Sequence, residues 1–226
     1  MPRRTPRLQC LLAALDRAGG AAPRRPLRDA WHRILRENVV YLVDEATRDR
    51  AFAALKKVTG LDAAAIARCP DELLLEVCGG GRMAPQQVAK LRSCAELFAA
   101  VGDPRALVQL PRPAAKKALK RFPGIGDPGV DVLRMHAGAE AVLGVESNAL
   151  RVLLRLGYGE DRGGYARQYR TAQQAAMAEL PATAAALTQA SAMLRRHGQE
   201  VCRTTRPACA GCALRRDCPT AKAATG

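Results

Sequence analysis

Four cysteines near the C-terminal end of the sequence are spaced closely enough to bind one inorganic centre. They are Cys202, Cys209, Cys212 and Cys218, in a C-x6-C-x2-C-x5-C pattern. A structural zinc site usually has two short Cys-x2-Cys pairs separated by a longer segment, whereas this pattern has one such pair and two uneven gaps. Thiolates grouped in one loop are typical ligands of a [4Fe-4S] cluster. The spacing therefore favours an iron–sulfur cluster, with a zinc site or disulfide bonds as the alternatives.

A short glycine turn between two predicted helices has the residues of a backbone phosphate site. The turn consists of Pro123, Gly124, Ile125 and Gly126, and it follows the basic residues Lys116, Lys117, Lys120 and Arg121. The two glycines allow the backbone to turn sharply and to come close to a partner. Asp127 is suited to cap the next helix and Pro128 to begin it, so that free N–H groups at the helix start can bind a phosphate. The alternative is an ordinary corner between two helices.

The whole sequence is strongly basic. Its 226 residues include 36 Lys and Arg against 21 Asp and Glu, which gives a formal net charge of +15. This excess indicates a polyanionic partner, most simply nucleic acid, and a biased composition is the alternative. Eight cysteines without a signal sequence indicate a reducing compartment, and no apolar run reaches the roughly 18 residues of a membrane helix. We expect a cytoplasmic, nucleoid-associated protein that does not span a membrane.

Helical periodicity extends over most of the sequence, and no segment alternates in the manner of a strand. One helix is predicted from apolar residues at near-helical spacing, Trp31, Ile34, Leu35 and Leu42. Another, over residues 147–157, has Ser147 as a natural N-cap. Gly60 is expected to end a helix, and residues 19–28 and 159–164 are expected to form loops. The sequence thus predicts an all-α protein with enough hydrophobic residues, 48%, for a core.

The order of these motifs resembles that of the helix-hairpin-helix DNA glycosylases, the superfamily of endonuclease III and adenine glycosylase. FPGIG at residues 122–126 is similar to the family's LPGVG turn. VESNALRVLLRLG at residues 145–157 is similar to the segment with the catalytic Asp, and HGQEVC with the cysteine loop is similar to the family's cluster segment. The resemblance covers residues 28–218 and is strongest toward the C-terminal end.

This resemblance implies an all-α fold of two domains. A six-helix domain with the hairpin is expected over residues 29–140, and a cluster domain is expected from residues 1–28 together with 141–226. It also implies a monomer that binds double-stranded DNA containing a lesion or mismatch. Members of the family flip the target nucleotide out of the duplex, because its glycosidic bond cannot be reached inside the base stack.

Two positions depart from the family pattern. Glu146, the catalytic candidate, stands where the family has the Asp that supports cleavage of the N-glycosidic bond. Its extra methylene moves the carboxylate by about 1.5 Å, and an error of about 1 Å can reduce a rate about a hundredfold. Pro128 stands where bifunctional relatives have a nucleophilic Lys. Together with Asn148, which resembles the Asp-x-Asn pattern of monofunctional relatives, these residues imply a monofunctional glycosylase.

Three alternatives remain open at this point. Glu146 is also suited to interact with the dipole of the helix that follows it, in which case the protein binds DNA without catalysis. An atypical lyase would use another amine, such as that of Lys120. A zinc-stabilised nucleic-acid module would keep the cysteines without iron.

The resemblance and the charge together predict which residues contact DNA. On the hairpin they are Lys120, Gly124, Ile125 and Gly126; after Glu146 they are Asn148 and Arg151; beside the cysteines they are Arg203 and Arg206. Asn38, Arg82 and Met83 fall near the positions at which relatives fill the gap left by the flipped base or wedge into the duplex.

Overall fold

The structure of the chain is a computed structural model that describes residues 6–19, 27–160 and 162–223. These residues form thirteen α-helices and one short 3-10 turn without a strand, so the prediction of an all-α protein is confirmed. Most of the predicted loop at 19–28 lies outside the described residues. No helix in the described part of the chain is both long and apolar enough to cross a membrane.

The chain divides into two compact units. Residues 27–137 form one of them, which we call the hairpin unit. The described residues before and after that range, 6–19, 138–160 and 162–223, form the other, which we call the terminal unit.

The hairpin unit contains eight helices. They are α2 (Ala30–Asn38), α3 (Glu45–Thr59), α4 (Ala63–Arg68), α5 (Asp71–Cys78), α6 (Ala84–Val101), α7 (Pro104–Leu107), α8 (Arg112–Leu119) and α9 (Asp127–His136). Four of them begin after an aspartate whose side chain accepts a hydrogen bond from the first turn, namely Asp29, Asp44, Asp62 and Asp103. These caps satisfy N–H groups that the helices leave without an internal partner. Gly60 ends α3 with a φ of 63°, which confirms the predicted C-cap.

One apolar core holds these helices together. The indole of Trp31 is 1% exposed and packs against the ring of Phe98, with the ring centroids 4.9 Å apart. Phe122, which directly precedes the glycine turn, is buried to the same degree. Helices α8 and α9 add Leu119 and Leu133 to this core. The hairpin is therefore fixed by apolar packing on both of its helices.

The terminal unit contains the other helices. They are α1 (Arg7–Arg17), α10 (Ser147–Arg155), α11 (Tyr165–Met177), α12 (Ala184–Glu200) and α13 (Pro219–Ala223), with the 3-10 turn at Cys209–Gly211. Helices α10 and α12 pack together, with Gly198 of α12 against the backbone of Asn148 in α10. A Cβ at Gly198 would lie 2.5 Å from the carbonyl oxygen of Asn148, so this approach of two backbones requires glycine.

Helix α1 is bound to the terminal unit through a residue far along the chain. The carboxylate of Glu179 accepts a hydrogen bond from the N–H of Leu8 over 2.6 Å and from the hydroxyl of Tyr158 over 3.1 Å. The side chain of Gln9 donates to the carbonyl of Glu179 over 2.6 Å. Segments from both ends of the described chain therefore belong to one unit.

Candidate functional site

The glycine turn joins α8 to α9 in a fixed conformation. Gly124 has a φ of 75°, a left-handed backbone conformation that residues with a Cβ rarely adopt, so this position requires glycine. The N–H of Ile125 donates to the carbonyl of Phe122 over 3.2 Å. The Ile125 side chain is 8% exposed, whereas Gly124 and Gly126 are exposed. The turn thus presents the backbone of two glycines to solvent and turns its apolar side chain inward.

Asn38 supports this turn from the interior of the hairpin unit. Its amide donates to the carbonyls of Pro123 and Ile34, each over 2.9 Å, and the residue is 2% exposed. To contact DNA, as the sequence predicts, the amide of Asn38 would have to give up both bonds. In the structure this amide holds the turn through the carbonyl of Pro123.

Asp127 does not cap α9, so that expectation from the sequence was wrong. Gly126 is the N-cap and Asp127 is the first residue of the helix. The Asp127 carboxylate accepts instead from Nζ of Lys120 over 2.8 Å and from Nζ of Lys116 over 2.9 Å. The bonds from Lys120 and Lys116 hold the pKa of Asp127 below its ordinary value. Lys120, which the sequence predicts as a DNA contact, is therefore paired within the protein.

Glu146 caps α10 with its own side chain. Its Oε1 accepts from the N–H of Ala149 over 2.8 Å, and its Oε2 accepts from Nδ2 of Asn148 over 2.7 Å. Ser147, the N-cap expected from the sequence, is instead the first residue of the helix. The partly buried carboxylate is thus held at both oxygens, and each oxygen retains a second lone pair for a ligand.

Arg151 links this carboxylate to the cysteine segment. Its Nη2 donates to Oδ1 of Asn148 and to the carbonyl of Gly198, each over 2.8 Å. Its Nε donates to the carbonyl of Cys202 over 2.9 Å. Because Asn148 in turn donates to Glu146, a continuous series of hydrogen bonds connects Cys202 to the candidate catalytic group. The structure brings Asn148 and Arg151, both predicted as DNA contacts, together as supports of Glu146.

Tyr165 lies near Glu146, and no motif in the sequence identifies it. It is the first residue of α11 and is 50% exposed. Desolvation, followed by the charge of Glu146, raises the pKa of its hydroxyl. Its place after the glycine-rich loop at 159–164 was the available signal, because functional side chains are frequent on loops.

All four cysteines of the C-terminal motif line one cavity. The cavity has a volume of about 30 Å³. The N–H of Leu214 donates to Sγ of Cys212 over 3.4 Å, and burial raises the pKa of this thiol. Within residues 6–19, 27–160 and 162–223, no three His, Cys, Asp or Glu side chains are grouped so as to hold a metal ion. The thiols share a cavity without forming the compact ligand group of a single ion.

Two basic side chains hold the cysteine segment against α10 and α12. Nη1 of Arg155 lies 3.3 Å from Sγ of Cys202 and 2.7 Å from the carbonyl oxygen of Arg203, to which it donates. Nε2 of His197 lies 3.6 Å from Sγ of Cys212, and burial lowers the pKa of this imidazole. His197 appears isolated in the sequence, yet it belongs to the cavity because α12 leads directly into the cysteine segment.

The two arginines predicted to contact phosphate are exposed on the same segment. Nε of Arg203 donates to the carbonyl of Glu200 over 3.0 Å. Arg206 has a φ of 53°, an uncommon conformation for a residue with a Cβ. Both guanidinium groups are accessible to a partner at the surface of the terminal unit.

Two exposed loops of the hairpin unit lie side by side. The N–H of Arg82 donates to the carbonyl of Tyr41 over 3.3 Å. Met83 is 53% exposed with a φ of 62°, and Leu42 is 66% exposed with a φ of 54°. Helix α2 ends at Asn38, so Leu42 is not on its apolar face as the periodicity predicts. Residues in sparsely populated backbone conformations are frequent at functional sites. Sequence reasoning does not identify Leu42 as a functional residue of this kind.

Comparison with solved structures finds the same fold. A trapped endonuclease III–DNA covalent intermediate, an estranged-adenine complex, matches with a TM-score of 0.70 at 17% identity over 97% of this chain and 99% of that chain. A thermostable thymine-DNA glycosylase matches with a TM-score of 0.70 at 17% identity over 96% and 95% of the two chains. The H. pylori 3-methyladenine DNA glycosylase MagIII bound to 1,N6-ethenoadenine matches with a TM-score of 0.60 at 17% identity over 85% and 92%.

These matches confirm the predicted helix-hairpin-helix DNA glycosylase fold. A scan of protein-family models gives no match to the sequence, and a search of curated proteins gives none either.

Proposed function

We propose that this protein is a monofunctional DNA glycosylase of base-excision repair, which hydrolyses the N-glycosidic bond of a damaged or mismatched base. The observation that carries this proposal is the carboxylate of Glu146, fixed by Ala149 and Asn148 at the start of α10. It lies in a chain with the fold of known DNA glycosylases and a net charge of +15.

Glu146 has two tasks in this reaction. As the base leaves, positive charge develops on the sugar, and a fixed carboxylate stabilises it without reorganising. The same group orients or deprotonates the attacking water. The hydrogen bonds at both oxygens support these tasks, because an unrestrained Glu side chain would populate several rotamers and only some would face the sugar.

Water is the nucleophile in this proposal. The hairpin has Pro128 at the position that would carry an amine, and a proline side chain cannot form a Schiff base. The nearby amines of Lys116 and Lys120 are both paired with Asp127. We therefore expect base release without cleavage of the strand.

Duplex DNA is the proposed partner, as in the endonuclease III complexes that share this fold. The exposed backbone of Gly124 and Gly126 is suited to a phosphate, and so are the side chains of Arg203 and Arg206. Leu42 and Met83 are the proposed wedge, because they are apolar and exposed on two loops that the hydrogen bond from Arg82 to Tyr41 joins. Arg82 accompanies them as a phosphate contact.

The four C-terminal cysteines are the proposed ligands of a [4Fe-4S] cluster, which would supply a structural tie and not the chemistry of base release. Two observations support such a group. Four thiols line one cavity, and the N–H of Leu214 and the guanidinium of Arg155 are directed at two of the sulfurs, Cys212 and Cys202. Donors of this kind stabilise thiolate ligands. The cysteine segment would in turn hold Arg203 and Arg206 in place.

The first experiment measures base release from end-labelled duplexes, each with one lesion, with and without hot alkali. The panel contains uracil, mismatched thymine, an alkylated purine and an oxidised pyrimidine. Breaks only after alkali would support the proposal and identify the substrate. Breaks without alkali, or a borohydride-trapped covalent adduct, would refute the monofunctional mechanism. Tight DNA binding without release from any duplex would favour a non-catalytic DNA-binding protein in which Glu146 serves only as the helix cap.

A further inference from the structure

Asp127 places a negative charge on the surface of the hairpin that should face DNA. It directly follows the glycine turn, and its side chain is 48% exposed. Its two oxygens are bound separately, Oδ1 by Lys120 over 2.8 Å and Oδ2 by Lys116 over 2.9 Å. The side chains of the two lysines are 44% and 46% exposed. One carboxylate therefore binds two accessible cations beside the turn.

The structure of the helix does not account for this carboxylate. Gly126 is the N-cap of α9, and no side chain makes a capping hydrogen bond there. A carboxylate in the first turn interacts favourably with the helix dipole, but this effect is small at an exposed site. The short contacts of Asp127 are with Lys116 and Lys120. We therefore look for the role of Asp127 in these two ion pairs.

A phosphate at the hairpin would require the same cations. A DNA phosphate carries one negative charge, as the Asp127 carboxylate does, and it forms comparable hydrogen bonds with an ammonium group. A phosphate bound beside Asp127 would also be repelled by that charge. Lys116 and Lys120 can neutralise the phosphate fully only after they leave Asp127.

We propose that Asp127 is an internal competitor for DNA phosphate and that it sets how weakly the hairpin holds undamaged DNA. Binding exchanges the Lys116–Asp127 and Lys120–Asp127 pairs for pairs with phosphate, so the net gain is smaller than two free lysines would give. Weak binding to undamaged DNA favours movement along the duplex. Stable binding then depends on the contacts that form when a base is flipped. This inference rests on the proposed binding of DNA by the hairpin.

The test is a salt series of Kd values for a fluorescein-labelled undamaged duplex, measured by anisotropy. Asp127→Asn should bind about three- to tenfold more tightly than the wild-type protein, as expected for the release of two exposed ion pairs. Its plot of log K against log salt should also be steeper, because two free lysines then add to counterion release.

Asp71→Asn is the matched control. Asp71 is likewise the first residue of a helix in the hairpin unit, it is exposed, and it pairs with Arg92 over 2.6 Å. Both variants remove one negative charge, so an effect of net charge alone would be equal in the two. Equal affinities for the two variants, or no tightening by Asp127→Asn, would overturn the proposal.

A second comparison covers the case in which Asp127→Asn folds poorly. Lys116→Gln should cost less affinity in the wild-type background, where Asp127 holds the amine, than in an Asp127→Ser background. An equal cost in both backgrounds would also overturn the proposal.

Base release is measured separately. If no lesion is excised yet Asp127→Asn tightens binding, the glycosylase assignment fails and the role of Asp127 stands. If a lesion is excised yet Asp127→Asn does not tighten binding, only the role of Asp127 is refuted.

Discussion

Nδ2 of Asn148 donates to Oε2 of Glu146 over 2.7 Å, although the two residues are only two positions apart in sequence. Asn148 is itself oriented by Arg151, which donates to its Oδ1 over 2.8 Å. The orientation of the carboxylate therefore depends on a residue one helical turn away. Side chains that do not touch the substrate should accordingly affect the chemical step.

Replacement of Glu146 by Gln should abolish base release and leave duplex binding nearly unchanged. Gln can still accept from the N–H of Ala149, so the cap is largely kept, whereas the negative charge is lost. We expect a loss of about a hundredfold or more in single-turnover rate. Glu160→Gln, which changes an exposed carboxylate paired with Arg167, is the control and should retain full activity. Unchanged release by Glu146→Gln would remove Glu146 from the mechanism.

Asn148→Ala should reduce the single-turnover rate by about ten- to a hundredfold, with little change in Kd for DNA. The carboxylate keeps its bond to Ala149 but loses the partner that fixes Oε2. A loss of affinity with an unchanged rate would instead identify Asn148 as the DNA contact expected from the sequence.

Gly198→Ala should destabilise the protein and slow base release together. The substitution favours the helix by about 1 kcal/mol, but the new Cβ would lie 2.5 Å from a backbone oxygen of Asn148, which cannot move freely. Overpacking of this kind costs about 1–3 kcal/mol. Gly211→Ala is the control, because nothing lies within 4 Å of a Cβ there. The two thermal unfolding curves should differ, and coincident curves would contradict the close approach of α10 and α12.

Cys209→Ser should lower the iron content and the visible absorbance of protein purified without oxygen, because one ligand of the proposed cluster is lost. Cys10→Ser changes an exposed cysteine on α1 and should retain the full iron content. Zinc in place of iron in the wild-type protein, or an unaltered iron content in Cys209→Ser, would exclude the proposed cluster.

The stability of the terminal unit should fall between pH 10 and 12. Burial, and then the hydrogen bond to Glu179, raise the pKa of Tyr158 from 10.0 to about 12. The folded state holds this proton more tightly than the unfolded state, so the stabilisation is complete below pH 10 and is lost as the pH rises through 12. Denaturant unfolding at pH 9, 10 and 11 should show a steeper loss for the wild-type protein than for Tyr158→Phe. Parallel losses would mean that Tyr158 titrates normally.

The fold was predictable from the sequence because its signals are local. The two glycines between predicted helices identify the turn at 123–126, and the apolar spacing along α10 clearly predicts a helix. The common cavity of the four cysteines follows from their short separation. No long-range information is needed for these features.

The roles of individual polar residues were not predictable in the same way. A shift of one residue at the start of α10 makes Glu146 the cap in place of Ser147. Asn38 is polar and near a helix end, which suggests a surface position, but its partner Pro123 is 85 residues away in sequence. The tertiary fold determines the hydrogen-bond partners of such side chains, and helix periodicity does not predict them.

The position of α1 determines the order in which the chain can acquire its structure during synthesis. Helix α1 is synthesised long before its partner Glu179, which follows Leu8 by 171 residues. At a synthesis rate of about 5–20 residues per second, that carboxylate is made on the order of ten seconds or more after α1. Residues 27–137 are contiguous and have their own core, so they can fold in the meantime. Helix α1 also packs against α12, which is synthesised later still, so its four buried leucines, Leu8, Leu11, Leu12 and Leu15, lack that cover until then.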